Sequence, residues 1–393
     1  MTLKLISAKI KNFKSLGDVD LNFRDLTILV GANASGKSNC LEALGFLSTL
    51  LKAQTLPPVE YMDRILRLEE KKIYYEISIE DDESNKAEYN VVVSLSENNT
   101  FIDKEYLLVN KIEVINIING EGIVKDENGE NSQPYQSSEG DGLALTDAGK
   151  YGHKPFTKKL ASYIKDWKFY DVDPDSVRAN SRSPKRNIII YKSVQSDEII
   201  PSLNSNASKA QTILQYWARH DKNKFFEVSQ ELYNCLKIRL DILEDVEPTI
   251  TVIEEDGKKI ALSNMSDGTL RLIAYFIMLY ESDVPSLIGI EEPERNFHPG
   301  ILQDIASMIK KLSKRTQVIF TTHSSQLLDC FSTEEISSDI SVILLNQKGE
   351  IGTQACLLDK LAENRDDLSD WMNDFGIGSA IYHSHLIEGV FAG

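Results

Sequence analysis

Apolar and polar residues alternate along Leu3–Ser15 and again over Val19–Phe23, a two-residue period that predicts a pair of strands. Both lead into Leu26–Val30, a short run of buried-strand type, and Cys40–Leu47 then follows with the spacing of an amphipathic helix. After Pro57–Pro58 the chain is rich in Ile, Tyr and Val over Ile73–Ile79, Tyr89–Leu95, Tyr106–Val109 and Lys111–Ile118. These segments predict an antiparallel sheet. Residues 119–150 are polar and glycine-rich and are expected to form a flexible loop. Helical patterns return at about 155–168 and 208–239, with Asn204–Ser208 as the cap region of the second. Near-continuous apolar runs at Ser286–Ile290, Thr316–Phe320 and Ile340–Leu345 are separated by helix-length segments. That spacing predicts buried parallel strands in a layered α/β core.

With 393 residues, the chain has room for two or three domains, or for one large domain with an insertion. No run approaches membrane-spanning length and the amino terminus lacks a signal-peptide core, so a cytoplasmic location without membrane contact is expected. Cys40, Cys235, Cys330 and Cys356 are far apart in sequence and are expected to be isolated buried thiols in a reducing compartment. A net charge of −17 argues against a protein that coats DNA uniformly. The charge is uneven, however: Lys150 to Lys192 holds eleven Lys/Arg against four Asp/Glu, and Lys310, Lys311, Lys314 and Arg315 form a second cluster. Each cluster reads either as a solvated surface or as a local contact for a phosphate backbone.

The chemistry is concentrated in four motifs. Gly31-Ala-Asn-Ala-Ser-Gly-Lys-Ser-Asn39 fits the phosphate-binding pattern G-x-x-x-x-G-K-[ST] and lies between a predicted strand and a predicted helix. Backbone N–H groups and the positive helix end would converge on an anion there, with Lys37 at the β/γ-phosphates and the Ser38 hydroxyl on Mg²⁺. Leu262–Arg271 opens an apolar helix with Ser266, Asp267 and Gly268, which reads as ordinary capping or as a second phosphate-binding start. Ser286–Glu294 is an apolar strand ending in Glu291 and Glu292, placed respectively to reach Mg²⁺ and to activate the attacking water. Gln317–Ser324 is a buried strand ending in Thr-Thr-His, which sets His323 where it can contact the γ-phosphate or that water. His383 and His385 also form a pair, read as part of a solvated tail.

In this order the motifs resemble the ABC-type ATPase heads of the RecF, SMC and Rad50 superfamily, and most of all its compact prokaryotic members, the RecF-like or overcoming-lysogenization-defect-like AAA ATPases. The resemblance rests on Ile10–Ser15, Val30–Asn39, Glu42–Leu44, Met265–Arg271, Glu291–Pro299 and Thr321–Ser324. It implies an α/β P-loop NTPase fold of ABC-ATPase type: a layered core with an antiparallel β flank and a helical lobe. The split core would comprise 1–52 and 200–354. An inserted lobe would span 53–199, with its basic segment at 150–192, and a tail would span 355–393. Gly31, Asn33, Ala34, Ser35, Gly36, Lys37, Ser38, Asn39 and Lys14 would bind ATP. Ser38 and Glu291 would hold Mg²⁺, and Glu292 and His323 would be catalytic. Three features depart from the superfamily's pattern. The signature reads Ser-Asp-Gly, Glu291 stands where Asp is usual, and the Q-loop glutamine has only Gln195 and Gln211 as candidates.

The resemblance further implies that Ser266, Asp267 and Gly268 act in trans, closing over ATP held by a second copy in a homodimer with two ATPs. The expected function is an Mg²⁺-dependent ATPase whose dimer cycle gates a partner effector acting on nucleic acid. That effector would be the product of a neighbouring gene, such as a nuclease, in bacterial antiphage defence. One alternative is a RecF-like maintenance factor touching DNA or RNA directly through Lys158, Lys159, Arg178, Arg182, Lys185 and Arg186. The other is an ATP-sensing scaffold that does not hydrolyse.

Overall fold

A computed structural model describes residues 2–53, 55–136, 142–147, 154–182, 200–243, 249–363, 365–382 and 386–391. The chain forms two compact units. The first comprises Met1–Phe169, Pro285–Gly289 and Thr316–Gly393, and the second Tyr170–Val284 and Ile290–Arg315.

Alternation at the amino terminus produces β1 (Leu3–Phe13) and β2 (Leu16–Asn22), paired antiparallel, and the apolar run after them is β3 (Leu26–Val30), buried throughout. A 16-residue helix, Lys37–Lys52, follows the glycine-rich loop. Four antiparallel strands come next: β4 (Lys72–Asp81), β5 (Lys86–Leu95), β6 (Thr100–Val109) and β7 (Ile112–Ile118). The expected flexible loop at 119–150 is corrected by β8 (Glu121–Val124), β9 (Gln133–Gln136) and a short helix, Ala144–Asp147. Asn119 and Gly120 both take positive φ (51° and 80°), the backbone of a two-residue hairpin that returns β8 onto β7. Polar composition concealed a turn signal.

Two helical expectations are also corrected. The first helix runs only Pro155–Lys165, because Lys168–Tyr170 is strand β10. The stretch 208–239 is two helices, Ala210–His220 and Lys222–Leu236, broken at Asp221, whose carboxylate accepts from Lys224 N and caps the second. The expected cap region Asn204–Ser208 precedes the actual N-cap, Lys209, which makes no side-chain cap bond; Asn204 Oδ1 accepts from Lys209 N at 3.0 Å.

Between these helices and the signature motif lie β11 (Arg239–Leu243), β12 (Thr249–Ile253) and β13 (Lys259–Ala261), a separate antiparallel sheet. The remaining strands are β14 (Leu287–Ile290), β15 (Gln317–Thr322), β16 (Ile340–Lys348) and β17 (Gly352–Leu357). The large sheet has the order β10-β14-β15-β3-β16-β17-β2-β1-β4-β5-β6-β7-β8-β9. As expected of near-continuous apolar runs, β15 and β16 flank β3 in parallel, with Thr322 and Leu344 both opposite Val30.

The core of the first unit packs β1–β7 against the helix Lys37–Lys52, through residues such as Ile10, Phe13, Leu44, Leu47 and Tyr75. Glu105 is buried within it. Its carboxylate accepts from Tyr89 Oη (2.8 Å), Leu145 N (2.8 Å) and Ala144 N (2.6 Å). Burial pushes this carboxyl up to about 7, against the opposing effect of the three donors.

In the second unit the signature helix, Asp267–Tyr280, is buried on all sides from Thr269 to Leu279. The carboxy-terminal segment of the first unit is also packed. Helix Ile377–Tyr382 buries Ile377, Ala380 and Ile381, and Gly378 N donates to Asp329 Oδ1 at 2.7 Å. His383 and His385 lie outside the described residues. Of the cysteines only Cys40 is fully buried; Cys235, Cys330 and Cys356 are half-buried. Among the described residues no helix is long and apolar enough to cross a membrane.

Candidate functional site

The loop after β3 has the local physics of an anion cradle. Gly36 sits at the helix N-cap with φ +100°, so no side chain caps the Lys37–Lys52 helix, and its first turn carries no acidic residue. The first charged side chain there is instead the cation of Lys37, at the positive end of a helix dipole. A bound anion satisfies both features, so the residues present fit the phosphates of a nucleotide. Lys37 is buried, and its Nζ donates to the carbonyls of Gly31 (2.8 Å) and Ala32 (2.9 Å). Ala32, Asn33, Ala34 and Ser38 are exposed, and Ala34 takes φ 64°. Ser35 is buried, and its Oγ makes no hydrogen bond among the described residues. A Cβ at Gly31 would collide with the Leu345 carbonyl of β16, so the loop leaves the sheet too close to its neighbour for any larger residue.

A hydrogen-bonded chain supports the loop from the β1–β2 turn. Asn39 Nδ2 donates to Ser15 Oγ at 2.7 Å, and Ser15 Oγ lies 2.8 Å from Thr353 Oγ1. A Cβ at Gly36 would overlap that Thr353 hydroxyl. Arg67 ties down the same turn by donating to the Ser15 carbonyl (2.9 Å) and to that of Glu350. Sequence reasoning missed Thr353 and Arg67, because no local pattern links either of them to a loop it meets only in the folded chain. Lys14 pairs with Glu42 of the loop helix. His323 is exposed and directly follows Thr322, which is opposite Val30 in the sheet; Gly31 and His323 therefore leave two adjacent parallel strands at the same end.

In the second unit Glu291 N donates to the Tyr170 carbonyl at 2.9 Å. Glu292 has φ +37°, a left-handed conformation that costs a non-glycine residue about 1–2 kcal/mol. Such strain persists where surrounding structure imposes it, and it clusters at functional sites. Here the Glu292 carbonyl accepts from Arg295 N (3.0 Å), Arg295 Nε lies 4.0 Å from the Glu292 carboxylate, and Arg295 pairs with Asp171. Pro293 restricts the same peptide from the other side.

Ser266 caps the signature helix, its Oγ accepting from Thr269 N at 3.2 Å. Asp267 pairs with Arg178 and accepts from Asn296 Nδ2 at 3.0 Å. The Arg178 guanidinium, bonded to that carboxylate, holds it below the usual carboxylate range. A Cβ at Gly268 would press on the Asn296 carbonyl and the Phe297 ring. Asn296 falls within the Glu291–Pro299 motif, whereas Arg178 and Asp171 were not marked by the sequence as parts of these motifs.

Four of the six candidate nucleic-acid residues lie among the described residues. Lys185 and Arg186 lie outside the described residues. Lys158 and Lys159 belong to the first unit, whereas Arg178 and Arg182 belong to the second, on the helix Pro174–Arg182. Arg178 is engaged with Asp175, Asp267 and the Met265 carbonyl. In the other basic cluster, Lys311 pairs with Glu231, and Arg315 donates to the Leu279 and Glu281 carbonyls. Gln195 lies outside the described residues, and Gln211 is buried.

A mixed sheet whose parallel centre carries the glycine-rich loop, flanked by helices and an antiparallel extension, defines a P-loop NTPase fold of ABC-ATPase type. Solved structures show the same fold. An Smc head domain with an extended coiled coil, bound to the C-terminal domain of ScpA from Pyrococcus furiosus, shares 13% identity at TM-score 0.51. That match covers 93% of this chain and 100% of that one. An SmcHead bound to the C-winged helix domain of ScpA shares 15% identity at TM-score 0.52, covering 91% and 99%. No curated protein matches the chain. Residues 26–329 match the model of the family described as "AAA domain, putative AbiEii toxin, Type IV TA system", and the chain belongs to that family.

Proposed function

We propose that the chain binds and hydrolyses ATP with Mg²⁺, and that ATP-dependent pairing of two copies gates a partner protein acting on nucleic acid. The observation that carries this reading is the Lys37–Lys52 helix, whose start has a glycine at the N-cap, no acid and a buried lysine. Mg²⁺-ATP supplies the electrophilic γ-phosphoryl group and the divalent charge that stabilises its transfer. Gly31, Asn33, Ala34, Ser35, Gly36 and Asn39 shape the cradle, and Lys37 turns from the loop carbonyls to the phosphates. Lys14 borders it. Ser38 and Glu291 would hold the ion. Glu292 takes a proton from the attacking water, which His323 helps to orient.

Ser266, Asp267 and Gly268 present a helix start to the nucleotide of a second copy, in an isologous dimer carrying two ATPs. The relatives bound to ScpA domains support a partner-binding reading, and the toxin–antitoxin wording of the family supports a paired effector. A nuclease encoded alongside and a role in antiphage defence are the finer form of this proposal. The internal pairing of Arg178, Lys311 and Arg315 favours gating a partner over RecF-like direct contact with DNA.

The test combines phosphate release with sedimentation of the wild type and Glu292→Gln, with and without Mg²⁺-ATP. The variant is expected to turn over about 10²–10⁴ times more slowly and to accumulate as an ATP-bound dimer. Equal turnover in both proteins would remove the hydrolytic mechanism. Monomers under every condition would remove the dimer.

A further inference from the structure

The helix Asp366–Phe375 near the carboxy terminus carries a second apolar stripe, and this one faces solvent. Its inner face is settled, with Leu368 and Met372 buried; at its exposed flank Thr333 Oγ1 donates to Asn373 Oδ1 at 2.7 Å. On the outer face Asp367, Asp370, Trp371, Asp374 and Phe375 fall at i, i+3, i+4, i+7 and i+8, the spacing with which a helix ordinarily presents residues to a partner. Trp371 is 36% exposed and Phe375 65% exposed, yet the two rings are already arranged edge to face, 6.3 Å between centroids at 77°. Asp367 is paired with Arg365, whereas Asp370 and Asp374 have no ion-pair partner among the described residues. Two large aromatic rings held open to water between unpaired carboxylates are a costly arrangement for a surface with no task.

We propose that this face docks an arginine-bearing amphipathic segment of another protein. Charge decides the class of occupant. A nucleic acid is excluded by its sign. A second copy seated on itself would bring the three carboxylates of each face together in a chain already at net charge −17. A guanidinium matches the surface in both its parts, stacking on the Trp371 face and bonding a carboxylate in a planar fork, which an ammonium cannot do.

The docking face has a physical connection to the loop end of the sheet. Helix Asp366–Phe375 runs through Gly376 (φ +89°) into helix Ile377–Tyr382, and Gly378 N donates to Asp329 Oδ1. Asp329 closes the short helix Ser325–Leu328, which is capped by Ser324, next to His323. An occupied face thus bears on the segment that carries His323. This consequence rests on the ATPase reading above; the docking does not.

The experiment uses a 15-residue amidated helix of Arg, Leu and Ala with Arg and Leu at i, i+3, i+4 and i+7, plus Lys-for-Arg and Glu-for-Arg analogues. Trp167 and Trp217 are buried, so acrylamide quenching of tryptophan emission reports chiefly on Trp371. The Arg peptide should protect Trp371, the Lys analogue should bind several-fold more weakly, and the Glu analogue should not bind. Asp370→Asn with Asp374→Asn, or Phe375→Ser, should weaken the Arg peptide at least about tenfold, and added salt should weaken it further. These residues face solvent, and a thermal melt matching the wild type confirms that the fold survives. No protection at about 1 mM peptide, or equal binding by the variants, would overturn the proposal. So would a nucleotide-independent dimer of the chain that Phe375→Ser dissolves. A wild type that releases no phosphate would sink the ATPase reading while leaving this readout intact.

Discussion

Ser15 and Thr353 come from opposite ends of the chain, and their hydroxyl oxygens meet 2.8 Å apart beside Gly36. This contact joins the β1–β2 turn, the start of β17 and the phosphate loop into one rigid corner. Gly36→Ala should break it in two ways, forcing a side chain into a left-handed backbone and driving Cβ into Thr353. The expected result is a loss of roughly 1–2 kcal/mol from backbone strain alone, and nucleotide affinity lowered by about tenfold or more, the equivalent of that energy. Ser15→Ala, which only removes hydrogen bonds, should cost about 1 kcal/mol. Thermal melts and a fluorescent-nucleotide titration check both, and a Gly36→Ala protein that binds nucleotide like the wild type would contradict the account.

Lys37→Ala should remove nucleotide binding with little effect on the fold, since the loop carbonyls it bonds can turn to water. Titration with a labelled ATP analogue reads the outcome. Retained affinity would show that the loop amides suffice without the cation.

Glu292 is strained as well as acidic, so stability and turnover should move in opposite directions when it is replaced by glycine. Glu292→Gly is expected to raise stability by about 1 kcal/mol, because glycine takes φ +37° without penalty. Turnover should fall as far as in Glu292→Gln. Denaturant melts paired with phosphate release measure the two quantities, and a destabilised Glu292→Gly protein would mean that the backbone there is not strained.

Arg178 fixes Asp267 at the head of the signature helix, so Arg178→Ala should impair ATP-driven dimerisation while leaving nucleotide affinity of the monomer unchanged. The pH dependence has a definite sign. Asp267 has a folded-state pKa below its unfolded one, so this pair stabilises above the ordinary carboxylate range of about 4 and is lost only as pH falls below it. Dimerisation measured between pH 6 and 8 should therefore show no step from this pair.

Glu105 has the opposite sign. Its folded-state pKa of about 7 lies above its unfolded value near 4.5, so folding takes up a proton between these limits. Stability from this group is fully present below about 4.5 and declines as pH rises to about 7, at roughly 1.4 kcal/mol per pH unit at most. Glu105→Gln should flatten that slope while keeping acceptors for Tyr89 and one backbone N–H. Urea melts across this pH range test it, and an unchanged slope in the variant would assign the dependence to other groups.

Where one residue type in one local pattern dictates the outcome, the sequence was readable. The period-two alternation of β1, the apolar run of β3 with its glycine loop, and the parallel apolar strands β15 and β16 are local signals, and each forms where the pattern placed it. What failed was short or interrupted. The β7–β8 hairpin was hidden in a polar stretch although Asn119-Gly120 marked its turn, and Asp221 divides a helical pattern that hydrophobic spacing alone reads as continuous. Around the motifs, the sequence marks candidate residues by type but not the residues that support them. Thr353, Arg67 and Arg178 reach the loop or the signature only through tertiary packing, and nothing in a linear pattern couples Gly36 to a threonine more than three hundred positions away.

The placement of β3 between β15 and β16 also fixes an order of events at the ribosome. Leu26–Val30 is made well before both its neighbours in the sheet, which come from residues 317–348. Until then an apolar strand with both edges unsatisfied must be shielded, and the cradle that follows it has no wall to lean on. A chain interrupted anywhere between Ser38 and Ile340 carries the complete Gly31–Ser38 motif and still lacks the strand that shapes it. On the ATPase reading proposed above, competence to hold a nucleotide thus waits for the strand Ile340–Lys348.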